Sequence, residues 1–285
     1  MVGVIQNGDF RVSARDTGAE LISFVDKRDE ANPYEYIWQK DRAVWTGSSP
    51  LLFPIVGKLK NDVYTLNGTS YHLEKHGFAR KARFEMEYQG AQQMTFLLRD
   101  SKATRAVFPF PFELRVHYAL IENGFVMEHR VKNTGDSTMY FSIGAHPGFQ
   151  CAMGDQIVLD EAETASAYRL NADFLRGPET EPVFDHAREL AITPEIFARD
   201  ALIFDGLKSR GATLVRQNGR GVHVDFGGAP CLGLWAKPGA PYVCVEPWYG
   251  IDDAWNADGE LSRKERILAL AAGGEFVFPV TITLP

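Results

Sequence analysis

Cysteine is scarce in this chain of 285 residues, which holds only Cys151, Cys231 and Cys244. Three is an odd number and no pair has the Cys-x-x-Cys spacing, so neither a disulfide framework nor a cysteine-rich zinc site is expected. Basic charge is short as well. The net charge of -7 gives no electrostatic footprint for nucleic-acid binding, which usually needs a clustered basic face. No stretch reaches the roughly 20 apolar residues of a membrane-spanning helix. Met1 to Phe10 has no basic start followed by an apolar run, and so lacks the form of a secretory signal. A cytoplasmic location in a reducing compartment, with no membrane or nucleic-acid partner, is the expectation. Helical periodicity is scarce, and internal repeats, low-complexity tracts and Gly/Ser-rich linkers are missing. A single domain over residues 1–285 follows from that uniformity.

Strands are what the sequence has in abundance. Val63 to Leu66, then Asn67-Gly68, then Thr69 to Leu73 predicts a hairpin, because Asn-Gly supplies the positive φ that a two-residue turn demands. Further strands are expected at Phe84–Tyr88, Met94–Arg99, Phe112–Leu120, Phe125–Lys132, Tyr140–Ile143, Ala212–Gln217, Gly221–Phe226, Leu232–Trp235, Tyr242–Val245 and Glu275–Leu284. Asn123-Gly124 and Asn218-Gly219 mark two more turns. Many short strands with tight turns predict an all-β fold, a large antiparallel β-sandwich. Short helical pieces are expected only at Thr193–Arg199 and around Asp16–Glu20. Glu161 to Asp200 is rich in charge and proline and reads as a long excursion from the sheet, of the kind that often carries function.

Seven histidines occur. His72, His117, His129 and His223 lie in alternating strand patterns, where a surface or hydrogen-bonded imidazole is the ordinary outcome, and His186 lies among charges and reads as solvated. His76 and His146 differ. His76 opens His76-Gly77-Phe78-Ala79-Arg80, and His146 sits in Gly144-Ala145-His146-Pro147-Gly148, where small residues permit close approach and Pro147 fixes the chain direction. A structural histidine in a turn is an equally good reading of these residues alone. Neither has a neighbour at metal-ligand spacing, so no metal is expected. Glu246 ends the apolar run Tyr242-Val243-Cys244-Val245 and precedes Pro247-Trp248; a carboxylate desolvated there would be a stronger base, whereas a surface Glu at a strand end is the commoner case. Trp248 suits a sugar, whose C–H face stacks on aromatic rings. Dinucleotide and P-loop glycine motifs and a Gly-x-Ser-x-Gly elbow are absent, and Cys151 reads as a buried inert thiol.

Four stretches in order, Ser49 to Asp62, His76 to Arg80, Ser142 to Phe149 and Val245 to Gly250, resemble the aldose 1-epimerase family, in particular its bacterial LacX-like branch. Lesser likenesses occur at Gly18 to Leu21, Asp200 to Phe204 and Gly273 to Glu275, so the resemblance spans essentially the whole chain. It implies a galactose mutarotase-like supersandwich with an open sugar cleft and a cofactor-independent interconversion of anomers. By motif position, Glu246 is the implied general base, His146 the general acid and His76 a second active-site histidine. Asp200 stands where the family has a sugar-binding aspartate, with Asp205 as competitor. The family's arginine is replaced by Lys58, with Arg80 as an alternative substitute, and a lysine lacks the planar fork that grips two hydroxyls. The implied partner is a small-molecule sugar, on a monomer or homodimer. A hexose 6-phosphate, with Lys58, Lys60 and Arg80 as phosphate ligands, and a non-catalytic carbohydrate-binding protein are the alternatives.

Overall fold

A computed structural model describes all residues, Met1–Pro285. The chain is 53% strand and 6% helix. Its largest sheet has fifteen strands, and every pairing between its strands is antiparallel. Phe112–Ile121 shows how the sequence builds this sheet. Phe112, Leu114, Val116 and Tyr118 are buried while the residues between them are partly exposed. Period-two alternation thus sends one side of the strand into the core, at about 1.5–3 kcal/mol for each large apolar side chain. Gly124–Asn133 pairs with it through the turn at Glu122-Asn123, Glu275–Thr283 pairs with the far edge of Gly124–Asn133, and Gln93–Arg99 pairs on the other side of Phe112–Ile121.

A separate four-stranded sheet of Val2–Gln6, Phe10–Arg15, Glu20–Asp26 and Tyr34–Glu35 lies against this layer, with Phe24 meeting Phe125 edge to face at 4.9 Å. One apolar cluster runs from Ile5 to Leu284. The expected strands are found with ends moved by one or two residues, except that Ser142 divides Met139–Phe141 from Ile143–Ala145, and the strand beginning at Tyr242 continues to Tyr249. The hairpin Val63–Leu66 with Thr69–His72 turns at Asn67 and Gly68, both at positive φ.

Three expectations are corrected. Asp16–Glu20 is a turn, not a helix, because Gly18 and Ala19 have φ of 75° and 46°, values a right-handed helix cannot contain. Thr193–Arg199 keeps only the single 3₁₀ turn Glu195–Phe197, while the one α-helix, Lys102–Val107, is capped by Ser101 and Thr104. The stretch 161–200 is no irregular excursion. Gln156–Leu170 and Arg176–Ala191 form a long bulged hairpin whose tip, around residues 171–175, reaches the candidate site described below.

Of the two outcomes expected for His129, surface or hydrogen-bonded, the second is found, and the residue is buried. Its ring stacks on Phe278 at 5.2 Å and its Nδ1 lies 3.1 Å from the Phe278 carbonyl oxygen. Burial lowers its pKa from 6.5 to about 4. The unfolded chain therefore binds a proton below pH 6.5 that the folded chain refuses until about pH 4, so stability falls as pH drops through that window. A His129→Leu variant is expected to lose about 3 kcal/mol less than wild type between pH 7 and pH 4 in urea unfolding, since each tenfold change in proton affinity is worth about 1.4 kcal/mol. Equal losses would place the acid sensitivity elsewhere.

Candidate active site

Two short strands, Ile143–Ala145 and Gly148–Gln150, pair in succession with Tyr242–Tyr249, Gly144 opposite Trp248 and Gly148 opposite Cys244. The register is the same on both sides of the break, so His146 faces Glu246 across it. Pro147 cannot donate to the ladder, but its carbonyl accepts the Val245 N–H at 3.1 Å and holds the crossing together. His146 Nε2 lies 3.2 Å from Glu246 Oε2. The contact lacks hydrogen-bond alignment: Glu246 Oε2 and His146 Nδ1 are buried and without partners.

These two side chains open onto a cleft of ≈ 340 Å³, within the roughly 300–1,000 Å³ typical of small-molecule sites. Its wall is aromatic. Trp45 stacks on the His146 ring at 5.2 Å, and Trp235 meets the same ring edge-on at 5.7 Å. Trp248 lies on the strand face of Glu246, two residues on, and its buried indole N–H has no partner. Glycine makes room for it. A Cβ on Gly144 would sit 2.5 Å from the Trp248 ring, and one on Gly233, which pairs with Glu246, 2.6 Å from it. Gly233→Ala is expected to cost about 1–3 kcal/mol by overpacking and to shift Trp fluorescence; an unchanged melting temperature and spectrum would show that the ring is free to move.

His76 arrives from another direction. It has φ of 66°, a conformation that costs a non-glycine residue energy. Two bonds to Gly57 hold it: the His76 N–H donates to the Gly57 carbonyl at 2.8 Å, and His76 Nδ1 accepts the Gly57 N–H at 3.1 Å. An Nδ1 that accepts leaves the proton of the neutral ring on Nε2, as a donor. Gly77 completes the turn, since a Cβ there would lie 2.4 Å from the Phe53 carbonyl oxygen.

Electrostatics follow from burial. Desolvation pushes the Glu246 carboxyl well above its ordinary range; Lys75 opposes this and Asp200 adds to it. Desolvation pulls His146 down to about 3, with Lys75 and Arg80 pushing the same way. His76 is likewise held well below 6.5 by burial, Lys75, His146 and Arg80. Burial also raises Asp252, although its Oδ1 accepts the Lys58 N–H at 2.7 Å.

The cleft brings together His76, Arg80, His146, Asp200, Glu246 and Trp248. Lys58 is not with them. Its Nζ is paired with Asp62 at 2.9 Å, because Asn61 and Asp62, both at positive φ, fold the following turn back onto it. The cations that do line the cleft are Lys75 and Arg80, the latter tied to the Lys75 carbonyl oxygen at 2.8 Å. Asp205 is committed to Arg266 at 2.7 Å, whereas Asp200 lines the cleft. Sequence reasoning passes over Trp45, Lys75, Phe174, Trp235 and Asp252. Lys75 adjoins His76 and Phe174 lies in the charged excursion; Trp45 offers no local signal. Spacing along the chain hides a further grouping: His146, Cys244 and Glu246, all buried, bring ligand-type atoms within 4.8 Å of one another and could hold a metal ion.

Comparison with known proteins agrees with this architecture. A sequence model described as Aldose 1-epimerase matches residues 1–266. Protein LacX (chromosomal) of Lactococcus lactis subsp. lactis is 30% identical over 280 residues, covering 92% of each chain. A galactose mutarotase related enzyme from Lactobacillus acidophilus superposes with a TM-score of 0.94 at 35% identity, over 100% of this chain and 97% of that one. A galactose mutarotase-like protein from Lactobacillus casei gives 0.94 at 26% identity over 100% of both.

Proposed function

Because the chain belongs to the aldose 1-epimerase family, we propose that it interconverts the α and β anomers of a free hexose, with Glu246 and His146 as its acid–base pair. The observation that carries this reading is their placement, 3.2 Å apart at the floor of an aromatic cleft, with polar atoms left unpartnered. A hemiacetal bears its two oxygens on one carbon, so the groups that serve them must be near neighbours. Glu246 takes the proton of the anomeric hydroxyl while His146 protonates the ring oxygen, and the bond between the anomeric carbon and that oxygen breaks to leave the open aldehyde. After rotation about C1–C2, closure on the other face returns both protons. The reaction needs one proton held between the two groups. Burial, which disfavours either charge, raises Glu246 and lowers His146, so without sugar that proton rests on Glu246; it passes across the 3.2 Å contact to His146 Nε2 before the ring opens. His76, through its Nε2 proton, and Asp200 bind hydroxyls, and Trp248 and Trp45 cover the apolar face of the ring.

A second reading, that the sugar carries a 6-phosphate, is favoured by Lys75 and Arg80 in the cleft wall. Of the cations that the sequence offers for that role, Lys58 and Lys60 lie outside the lining. The test is anomer exchange by polarimetry or NMR on glucose, galactose and their 6-phosphates. Saturable acceleration with the neutral sugars is expected; acceleration with the phosphates alone would replace the first reading by the second. Binding without acceleration of any of them would leave a carbohydrate-binding protein.

A further inference from the structure

We propose that Cys244, His146 and Glu246 form a three-ligand site for a thiophilic divalent cation, zinc above all, whose occupancy shuts the cleft. Cys244 stands two residues before Glu246, so the pleat of Tyr242–Tyr249 turns both side chains to one face. Gly148 is paired opposite Cys244, and a Cβ there would come within 3.3 Å of the Cys244 sulfur, so the missing side chain leaves that atom room. The three ligand atoms lie within 4.8 Å of one another and all three residues are buried. Glu246 Oε2 has no hydrogen-bond partner, His146 Nε2 lies 3.2 Å from it, and Cys244 is in no disulfide. Zinc–sulfur and zinc–nitrogen lengths put those ligands roughly 3.5 Å apart in a tetrahedron, so side-chain rotations of about an ångström close the site. The thiol proton leaves to solvent as the metal–sulfur bond forms. His146 and Glu246 line the cleft, the side from which a fourth ligand such as water would come. The donor set combines thiolate, imidazole and carboxylate, which suits zinc and disfavours magnesium or calcium.

The metal holds the same two groups that the proposed reaction uses, so it acts as an inhibitor. That consequence rests on the reading above, whereas the binding itself does not. Zinc chloride titrated calorimetrically into the full chain is expected to bind at one equivalent, and cobalt(II) to produce a near-ultraviolet thiolate-to-metal charge-transfer band. Cys244→Ala and the more conservative Cys244→Ser, checked by thermal melts, should lose the band and bind zinc at least tenfold more weakly. Zinc should slow anomer exchange in wild type and spare it in the variants. Absence of binding in wild type, or unchanged affinity in a folded Cys244 variant, overturns the site. Wild type that binds zinc with the band, yet shows no exchange on any sugar, keeps the site and removes the reaction.

Discussion

Replacing Glu246 by Gln is expected to leave a folded protein whose anomer exchange is slower by about three orders of magnitude, within the 10²–10⁴-fold contributed by a positioned acid or base. The amide copies the carboxylate in shape, so the pairing of residue 246 with Gly233 and the seat of Trp248 beside it are kept. Only the ability to take and return a proton is lost. Stability should hold or rise slightly. The wild-type carboxyl is buried with Oε2 unpartnered, and burial raises its pKa, so the folded state bears a cost at neutral pH that a neutral amide avoids. Polarimetric exchange rates beside urea unfolding curves check both halves. A variant at wild-type speed would remove Glu246 from the chemistry, and a variant that does not fold would give it a structural role.

How much of this is legible in the sequence depends on whether a residue's role is written in its own neighbourhood. The strands can be read because burial of one sheet face forces alternation, as in Phe112 to Tyr118. The four-stranded sheet at the N-terminus escapes such a reading since Glu20–Asp26 carries no clean alternation: Leu21, Phe24 and Val25 are buried but Ile22 and Ser23 only partly so. Glu246 and His146 each stand out by context, yet only the shared register of two short strands on Tyr242–Tyr249 makes them a pair. Lys58 misleads because motif position does not encode side-chain direction. The turn at Asn61 and Asp62 claims its ammonium, and Lys75, adjacent to His76 with no motif of its own, lines the cleft. Cys244 has no partner along the chain, but a strand's period of two and the crossing at Pro147 bring it two.

His146→Asn is expected to lower the exchange rate by about two to three orders of magnitude while sugar affinity changes less than tenfold. The amide fills part of the space between Trp45 and Trp235 but titrates in no useful range, so the ring oxygen has no acid during opening and no base during closure. Lost stacking against those two indoles costs on the order of 1 kcal/mol of stability. The split between kcat and KM separates roles: a raised KM with kcat intact would make His146 a binding residue and leave the acid unassigned. Combining the two substitutions is the stricter test. If Glu246 and His146 exchange one proton inventory across one hemiacetal, removing the second after the first has little left to abolish. The double variant should then run within about tenfold of the slower single variant, not at the product of the two losses. Multiplicative losses would mean that the residues serve separate steps, and the 3.2 Å between them would be packing alone.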